Sequence, residues 1–349
     1  MKTPAFQQVR AAMLTLLVAI PALGFAQTYT VTDLGVLKGD TFSGANAINA
    51  SGQVTGFSGS EGVSDVILYS GGVLSSLGNL GGATGIGLAI NSSGEVAGYS
   101  LLAQGSYRGF FNSNGQMNII DPIGQDYTDA RAINDAGQVA GATSTATTGL
   151  EETHPYLFSN GKMIDLGTLG GHGSLLWNTA EGINKFGDVV GYSWLTSGTV
   201  HAFMWTNGVM KDLGALPGNY SLAFAINDKR EVTGSSYTGN SFQNYEDAFL
   251  YSNGKMKDLG TITGQFSFGF GINNSGVVVG QSTYTVDGTS YHAFVYRHGK
   301  MEDLNRLIPA NSGWLLMTAY GINDVGQIVA YGVLNGNYAD EHGFLLTPQ

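Results

Sequence analysis

"TAEGINKFGDVVGYS" (179–193) holds both a hairpin and the signature that organises the whole chain. In its first six residues small Ala180 and Gly182 alternate with larger side chains, the period of a strand. "NKFG" (184–187) reads as a type I turn, with Asn at its first position and Gly at its fourth. "DVVGYS" (188–193) is a second strand. The central pattern, Ile-Asn-x-x-Gly-x-Val, recurs with Asn at 49, 91, 134, 184, 227, 273 and 323. The spacings are 42, 43, 50, 43, 46 and 50 residues, the length of a four-stranded propeller blade.

The remainder of this fourth unit supplies two more strands. After a variable loop, "HAFMW" (201–205) is a third strand and "VMKDLG" (209–214) a fourth. Asn207-Gly208 between them is a two-residue hairpin turn that needs positive φ at both positions. Asn-Gly turns recur at 114–115, 160–161 and 253–254, with Gly71-Gly72 and His298-Gly299 as variants. Third strands such as "PYLFS" (155–159) and "HAFVY" (292–296) are mainly apolar, which suits sheets covered on both faces. Gly at 53 positions and a charged fraction of 12% suit short strands and tight turns rather than helices.

Strand counting then sets the expectation for the ends. The first three strand types occur seven times, the last third strand being "HGFLL" (342–346), with no fourth after it. "YTVTDLG" (29–35) is a fourth-type strand with no unit before it. The expected fold is therefore all-β: a seven-bladed β-propeller of four-stranded blades, closed by segment 29–35 pairing with 342–346. Closure protects sheet edges, whereas an open solenoid needs atypical capping units.

"HAF" at 201–203 and 292–294, together with "DLG", "GINNSG" (271–276) and "SNGK" (252–255), resembles the HAF-repeat family of extracellular bacterial proteins. The resemblance covers essentially all of the chain after residue 26. It implies secretion and a repeat fold, and it brings no catalytic residue to any position here. Unit two departs most, with "RGFFNS" (108–113) and "MNIID" (117–121). Unit five has Arg230 where the others have Gly, which strains that turn.

The first 26 residues read as a secretory signal. Lys2 and Arg10 precede and open "AAMLTLLVAIPALGFA" (11–26), and Gly24 and Ala26 fit the small-residue cleavage rule. Cleavage after Ala26 leaves a single propeller domain, 27–349, placed outside the cytoplasm in the periplasm or beyond the cell. No later segment is long and apolar enough to span a bilayer, so membrane insertion is not expected. Cys is absent, which excludes disulfides and a lipid-anchored Cys. Removing Lys2 and Arg10 from the 15 basic residues leaves 13 against 26 acidic, a net charge of −13. That argues against nucleic acid or an anionic lipid surface, whose phosphates must be met by Lys and Arg.

The repeated polar residues invite a catalytic reading, because a carboxylate orients an imidazole for proton transfer. Pairing across Asn207-Gly208 puts Phe203 opposite Asp212 and sets Asp212 one diagonal step from His201. The same 11-residue interval links His154 to Asp165 and His292 to Asp303, and across the expected closure His342 meets Asp33. Four dyads spread around a ring are not one catalytic centre. They read as structural pairs that hold strand register. Unit five breaks the scheme with Asp247 and Asp258, a pair that would hold a cation, share a proton or simply mark a weathered repeat. No metal site and no cofactor are implied.

Function is expected where the repeats differ. The second-to-third loops include 235–247, 282–292 and "GVLNGNYADEH" (332–342), and the inter-unit connections include 170–180 and 308–320. They are rich in Tyr, Trp, Asn, Asp and Ser, which suits sugar rings and also protein partners. Trp177 and Trp314 read as wedges between blades or as binding candidates. Two positions before each Ile-Asn stand Asn46, Leu88, Arg131, Glu181, Phe224, Phe270 and Tyr320, variable within an otherwise uniform strand. Arg131 and Glu181 fall on adjacent units with Asp129 nearby; they read either as an ion pair that neutralises two charges in a crowded place or, with Tyr320, as candidates for a ligand funnel at the axis. The leading reading is a non-catalytic binding or scaffold protein for an extracellular or cell-envelope glycan or a protein. The alternative is an extracellular polysaccharide hydrolase or lyase with acidic residues at the channel mouth. A glycosidase needs two carboxylates flanking one bond, and Glu181 with Asp129 is the available pair.

Overall fold

The structure is a computed structural model that describes residues 27–123, 127–145, 152–171, 177–239, 245–285 and 290–349. Residues 1–26, read above as a secretory signal, and parts of the loops at 170–180, 235–247 and 282–292 lie outside the described residues. Among the described residues the fold is all-β, with one short 3-10 helix, Leu304–Arg306. Among the described residues the strands form five four-stranded antiparallel sheets and one of eight. The eight-stranded sheet divides into two four-stranded halves joined through one parallel position, Ser64 beside Thr84.

Unit four shows how the repeat folds. Its strands are Thr179–Ile183, Val189–Trp194, Val200–Thr206 and Val209–Asp212. Asn207 and Gly208 have φ of 50° and 86°, the left-handed pair a two-residue hairpin requires. Gly191 sits where the second strand crosses close to the first; a Cβ there would lie 1.9 Å from the Thr179 carbonyl oxygen. Only glycine allows that approach.

The core is divided into layers between successive sheets. One layer combines Val190 and Ala202 of unit four with Ala223, Val232 and Phe249 of unit five. The third strands supply its largest pieces: Phe110, Tyr156, Phe203, Phe249, Phe294 and Phe344 are completely buried at equivalent positions. Each contributes about 2–3 kcal/mol by leaving water. The layer holding Ala45 and Val54 also holds Val329 and Leu345, so the first unit packs on the last. Tyr29–Asp33 pairs antiparallel with Asn337–Pro348, from Tyr29 opposite Pro348 to Asp33 opposite Phe344.

The repeated Asn does more than shape its own turn. Asn184 Oδ1 accepts the amides of Phe186 and Asp188 at 3.0 Å each. Its Nδ2 donates to the Asn227 carbonyl, one unit on. The same donation runs from Asn49 to Asn91, Asn91 to Asn134, Asn134 to Asn184, Asn227 to Asn273, Asn273 to Asn323 and Asn323 to Asn49. The circuit returns to its starting residue.

One expected loop is corrected. Segment 332–342 is a hairpin, not a long variable loop. Asn335 and Gly336 have φ of 49° and 73°, and the strand resumes at Asn337. The cause is the same Asn-Gly chemistry that makes the other two-residue turns.

Candidate functional site

The first strands of the units line a common channel. At one end it is bounded by the Asn circuit around a cavity of about 270 Å³. At the other, about 250 Å³ is lined by Asn46, Leu88, Arg131, Glu181, Phe224, Phe270 and Tyr320. These are the seven variable residues of the repeat, and a β-bulge places them there. Glu181 is the extra residue between Ala180, paired with Gly191, and Gly182, paired with Val190. Bulges fall likewise at Asn46, Leu88, Phe224, Phe270 and Tyr320. Arg131 donates its amide to Ala140, the residue that also pairs with Ala132. A bulge re-aims one side chain out of the strand's alternation.

The mouth is two-sided. On one side Arg131 Nε lies 2.6 Å from Asp129 Oδ2, and its Nη1 lies 3.2 Å from Glu181. Asp129 is completely buried. It also accepts the Tyr127 hydroxyl at 2.7 Å and the Ala142 amide at 2.7 Å. One guanidinium thus serves two carboxylates, and the closer one takes the better contact. Burial pushes the Glu181 carboxyl up to about 7, outweighing the Arg131 charge that opposes it, while Asp129 adds to the rise. Burial opposes the Arg131 charge, yet the Asp129 and Glu181 carboxylates override it and hold the guanidinium charged. Glu181 is therefore the group that takes up or gives back a proton near neutrality.

The other side is aromatic. Phe224 and Phe270 have ring centroids 5.4 Å apart, and Phe270 and Tyr320 are 5.5 Å apart. Tyr320 is 37% exposed. Trp177, 51% exposed, stands edge-on to Tyr127 at 5.5 Å, beside the charged half. Trp314 lies elsewhere: it packs edge-on against Phe344 at 4.5 Å, in the apolar cluster of the last unit.

The His–Asp pairs are away from the channel lining. His154, His201, His292 and His342 each place Nδ1 within 2.8–2.9 Å of Asp165, Asp212, Asp303 and Asp33. In unit one Ser76 donates to Asp65 at 2.7 Å instead. Asp247 is pushed up to about 7 by burial and by the Asp258 carboxylate with which it is hydrogen-bonded. Among the described residues no three His, Cys, Asp or Glu side chains form a metal-holding group.

As a paired-acid centre the charged half is incomplete. Asp129 has both oxygens engaged and no exposure, which leaves no second free carboxylate opposite Glu181. A neutral or polar ligand could instead stack on the aromatic half and exchange hydrogen bonds with Arg131 and Glu181. Tyr127 and the bulges were not anticipated from the sequence. The regular Ile-Asn offset was the only signal for the channel position, and nothing local in it announces an extra residue.

No protein-family model matches the chain, and no curated protein matches it. Solved structures do. It is similar to the β-propeller domain of the Trilobed protease from Pyrococcus furiosus at 8% identity, over 89% of this chain and 95% of that one, with a TM-score of 0.58. It is similar to streptogramin B lyase at 11% identity, over 91% and 97%, with a TM-score of 0.53. An acylaminoacyl peptidase matches at 8% identity with a TM-score of 0.58 over 88% of this chain, which spans about half (52%) of that protein. At such identities the likeness shows the fold alone: the chain is a β-propeller. No helix among the described residues is long and apolar enough to cross a membrane.

Proposed function

We propose that this chain is a secreted protein of the HAF-repeat type, a single seven-bladed β-propeller over residues 27–349. Its ring is closed by segment 29–35 completing the last blade, and it binds an extracellular or cell-envelope glycan at the channel mouth lined by Arg131 and Glu181. The Asn circuit and the Tyr29–Asp33 pairing support the closed ring. The observation that carries the binding reading is the division of one mouth into a charged half, Asp129–Arg131–Glu181, and an aromatic half, Phe224–Phe270–Tyr320. Sugar rings present apolar faces to aromatic side chains and hydroxyls to charged ones.

The test is a glycan array with the purified protein, run beside Arg131→Ala and Glu181→Ala. Glycan binding without turnover, weakened in both variants, supports the reading. Release of reducing ends that disappears in Glu181→Ala overturns it in favour of a hydrolase.

A further inference from the structure

Between the first and last sheets lies a further pocket, of about 350 Å³, within the size range of small-ligand sites (about 300–1,000 Å³). Phe42, Phe57, Tyr320 and Tyr331 wall it, and Glu341 and Asn46 stand among them. Phe42 and Phe57 meet at 64° with centroids 6.2 Å apart, so their rings form a corner. Gly44 makes that corner possible: a Cβ there would come within 2.5 Å of Phe57 Cε1. Gly44 pairs directly with Phe57, whereas the comparable aromatics Tyr99 and Tyr192 sit opposite Ile86 and Thr179.

The polar groups limit what can bind. The Asn46 amide already donates to the Gly87 carbonyl at 2.8 Å. The Tyr331 hydroxyl is hydrogen-bonded to Glu341, which holds the carboxylate beside the ring. The lining therefore offers π-faces and one carboxylate, with no basic side chain. A ligand rich in hydroxyls would find few free donors. Ring faces carry negative potential and attract cations, and a carboxylate adds to that field. The whole chain, at −11, biases encounter in the same direction.

We propose that this pocket is an aromatic cage for an organic cation of the quaternary-ammonium class, with Phe42, Phe57, Tyr320 and Tyr331 facing the methyl groups and Glu341 opposing the charge. The inference does not rest on the glycan reading, although Asn46 and Tyr320 border both cavities.

The experiment is calorimetric titration of the purified protein with choline, tetramethylammonium and 3,3-dimethyl-1-butanol, the uncharged isostere of choline. Both cations bind saturably, and the isostere binds at least about tenfold more weakly. Tyr331→Ala and Glu341→Gln each lose about tenfold in choline affinity, while Tyr107→Ala, an exposed ring outside the pocket, binds as the parent does. Circular dichroism melts identify any variant that has failed to fold, and Gly44→Ala, which displaces Phe57, serves as an independent lesion. Equal affinity for choline and its isostere overturns the proposal by showing a merely apolar pocket. Absence of a saturable signal from either cation up to about 10 mM overturns it also.

Discussion

Arg230 Nε lies 2.8 Å from Asp188 Oδ2, linking the turn of unit five to the residue just before the second strand of unit four. At the equivalent boundary one unit earlier, a Cβ on Gly187 would lie 3.0 Å from Gln138 Oε1. Asp188 is one methylene shorter than that glutamine, and the guanidinium occupies the space. The substitution of glycine and the shortened partner thus belong together. Arg230 has φ of 62°, a left-handed conformation that costs a residue with a Cβ.

Arg230→Gly separates strain from pairing. The Asp188 carboxyl experiences burial that would raise its pKa, but the Arg230, Asn184 and Thr206 hydrogen bonds outweigh it and hold it below the usual aspartate range. The pair therefore stabilises above that range and stops doing so as pH falls through the depressed pKa. Relief of strain is independent of pH. Thermal melts are expected to show little change at pH 7 and a higher melting temperature than the parent at pH 3. A variant equally destabilised at both values would contradict this.

The Asn circuit predicts a large local cost. Asn134 is 6% exposed and makes bonds to Ala136, Gln138 and Asn184. Asn134→Ala leaves the buried Asn184 carbonyl and the part-buried Ala136 and Gln138 amides without their partner, for a loss of about 1–3 kcal/mol. Asn114→Gly, at an exposed left-handed turn position, should cost less than about 0.5 kcal/mol. Urea midpoints of the two variants make the comparison.

Ion pairing at His154 and Asp165 predicts a bell-shaped contribution. The Asp165 hydrogen bond raises the imidazole's pKa against the opposing effect of burial. Asp165 is lowered despite its own burial, by His154 and the Gly167 amide. The histidine contribution is complete below about pH 6.5 and lost as pH rises through the raised value; the aspartate contribution is complete above about pH 4 and lost below it. His154→Gln should therefore cost most between about pH 4 and 6.5, by roughly 0.5–1 kcal/mol for so exposed a pair. A loss independent of pH from 3 to 9 would assign the histidine to packing alone.

Much of this architecture could be read directly. Asn207-Gly208 gives its turn away, and the 11-residue His–Asp interval places His201 and Asp212 within bonding distance because strand pairing is periodic. Arg131 and Glu181 were reachable from their offset to Ile-Asn. What stayed hidden depends on a neighbour. Asn184 Nδ2 reaches the Asn227 carbonyl because the units stack side by side, and no single unit encodes that distance. Asp129 reads in the sequence as one member of an acid pair with Glu181, whereas Tyr127, Arg131 and Ala142 use both its oxygens. Of the two readings of Trp314, wedge or binding residue, only its neighbour decides: the strand Trp314–Ile322 turns it onto Phe344. The Phe42–Tyr331 pocket joins residues from opposite ends of the chain.

Glu181→Gln should remove a pH dependence. The folded carboxyl, raised to about 7 by burial, favours its protonated form. That stability is present below about pH 4.5 and lost as pH rises through 7. The variant should equal the parent at pH 4 and exceed it at pH 8 by about 1–3 kcal/mol, measured by urea unfolding. Greater stability of the parent at pH 8 would show that the ion pair with Arg131 wins over burial.

Closure of the ring by the two ends is tested most directly by a chemical link. Thr30 faces Thr347 in the register, where paired Cα atoms are about 5.5 Å apart, inside the disulfide range of about 4.4–6.8 Å. The chain has no Cys of its own, so Thr30→Cys with Thr347→Cys provides a clean pair. Under mild oxidation the account predicts a monomer that migrates faster without reductant, melts at a higher temperature, and reverts on reduction. Two free thiols after oxidation, unlinked also by a short bis-maleimide, would mean that the ends do not share a sheet.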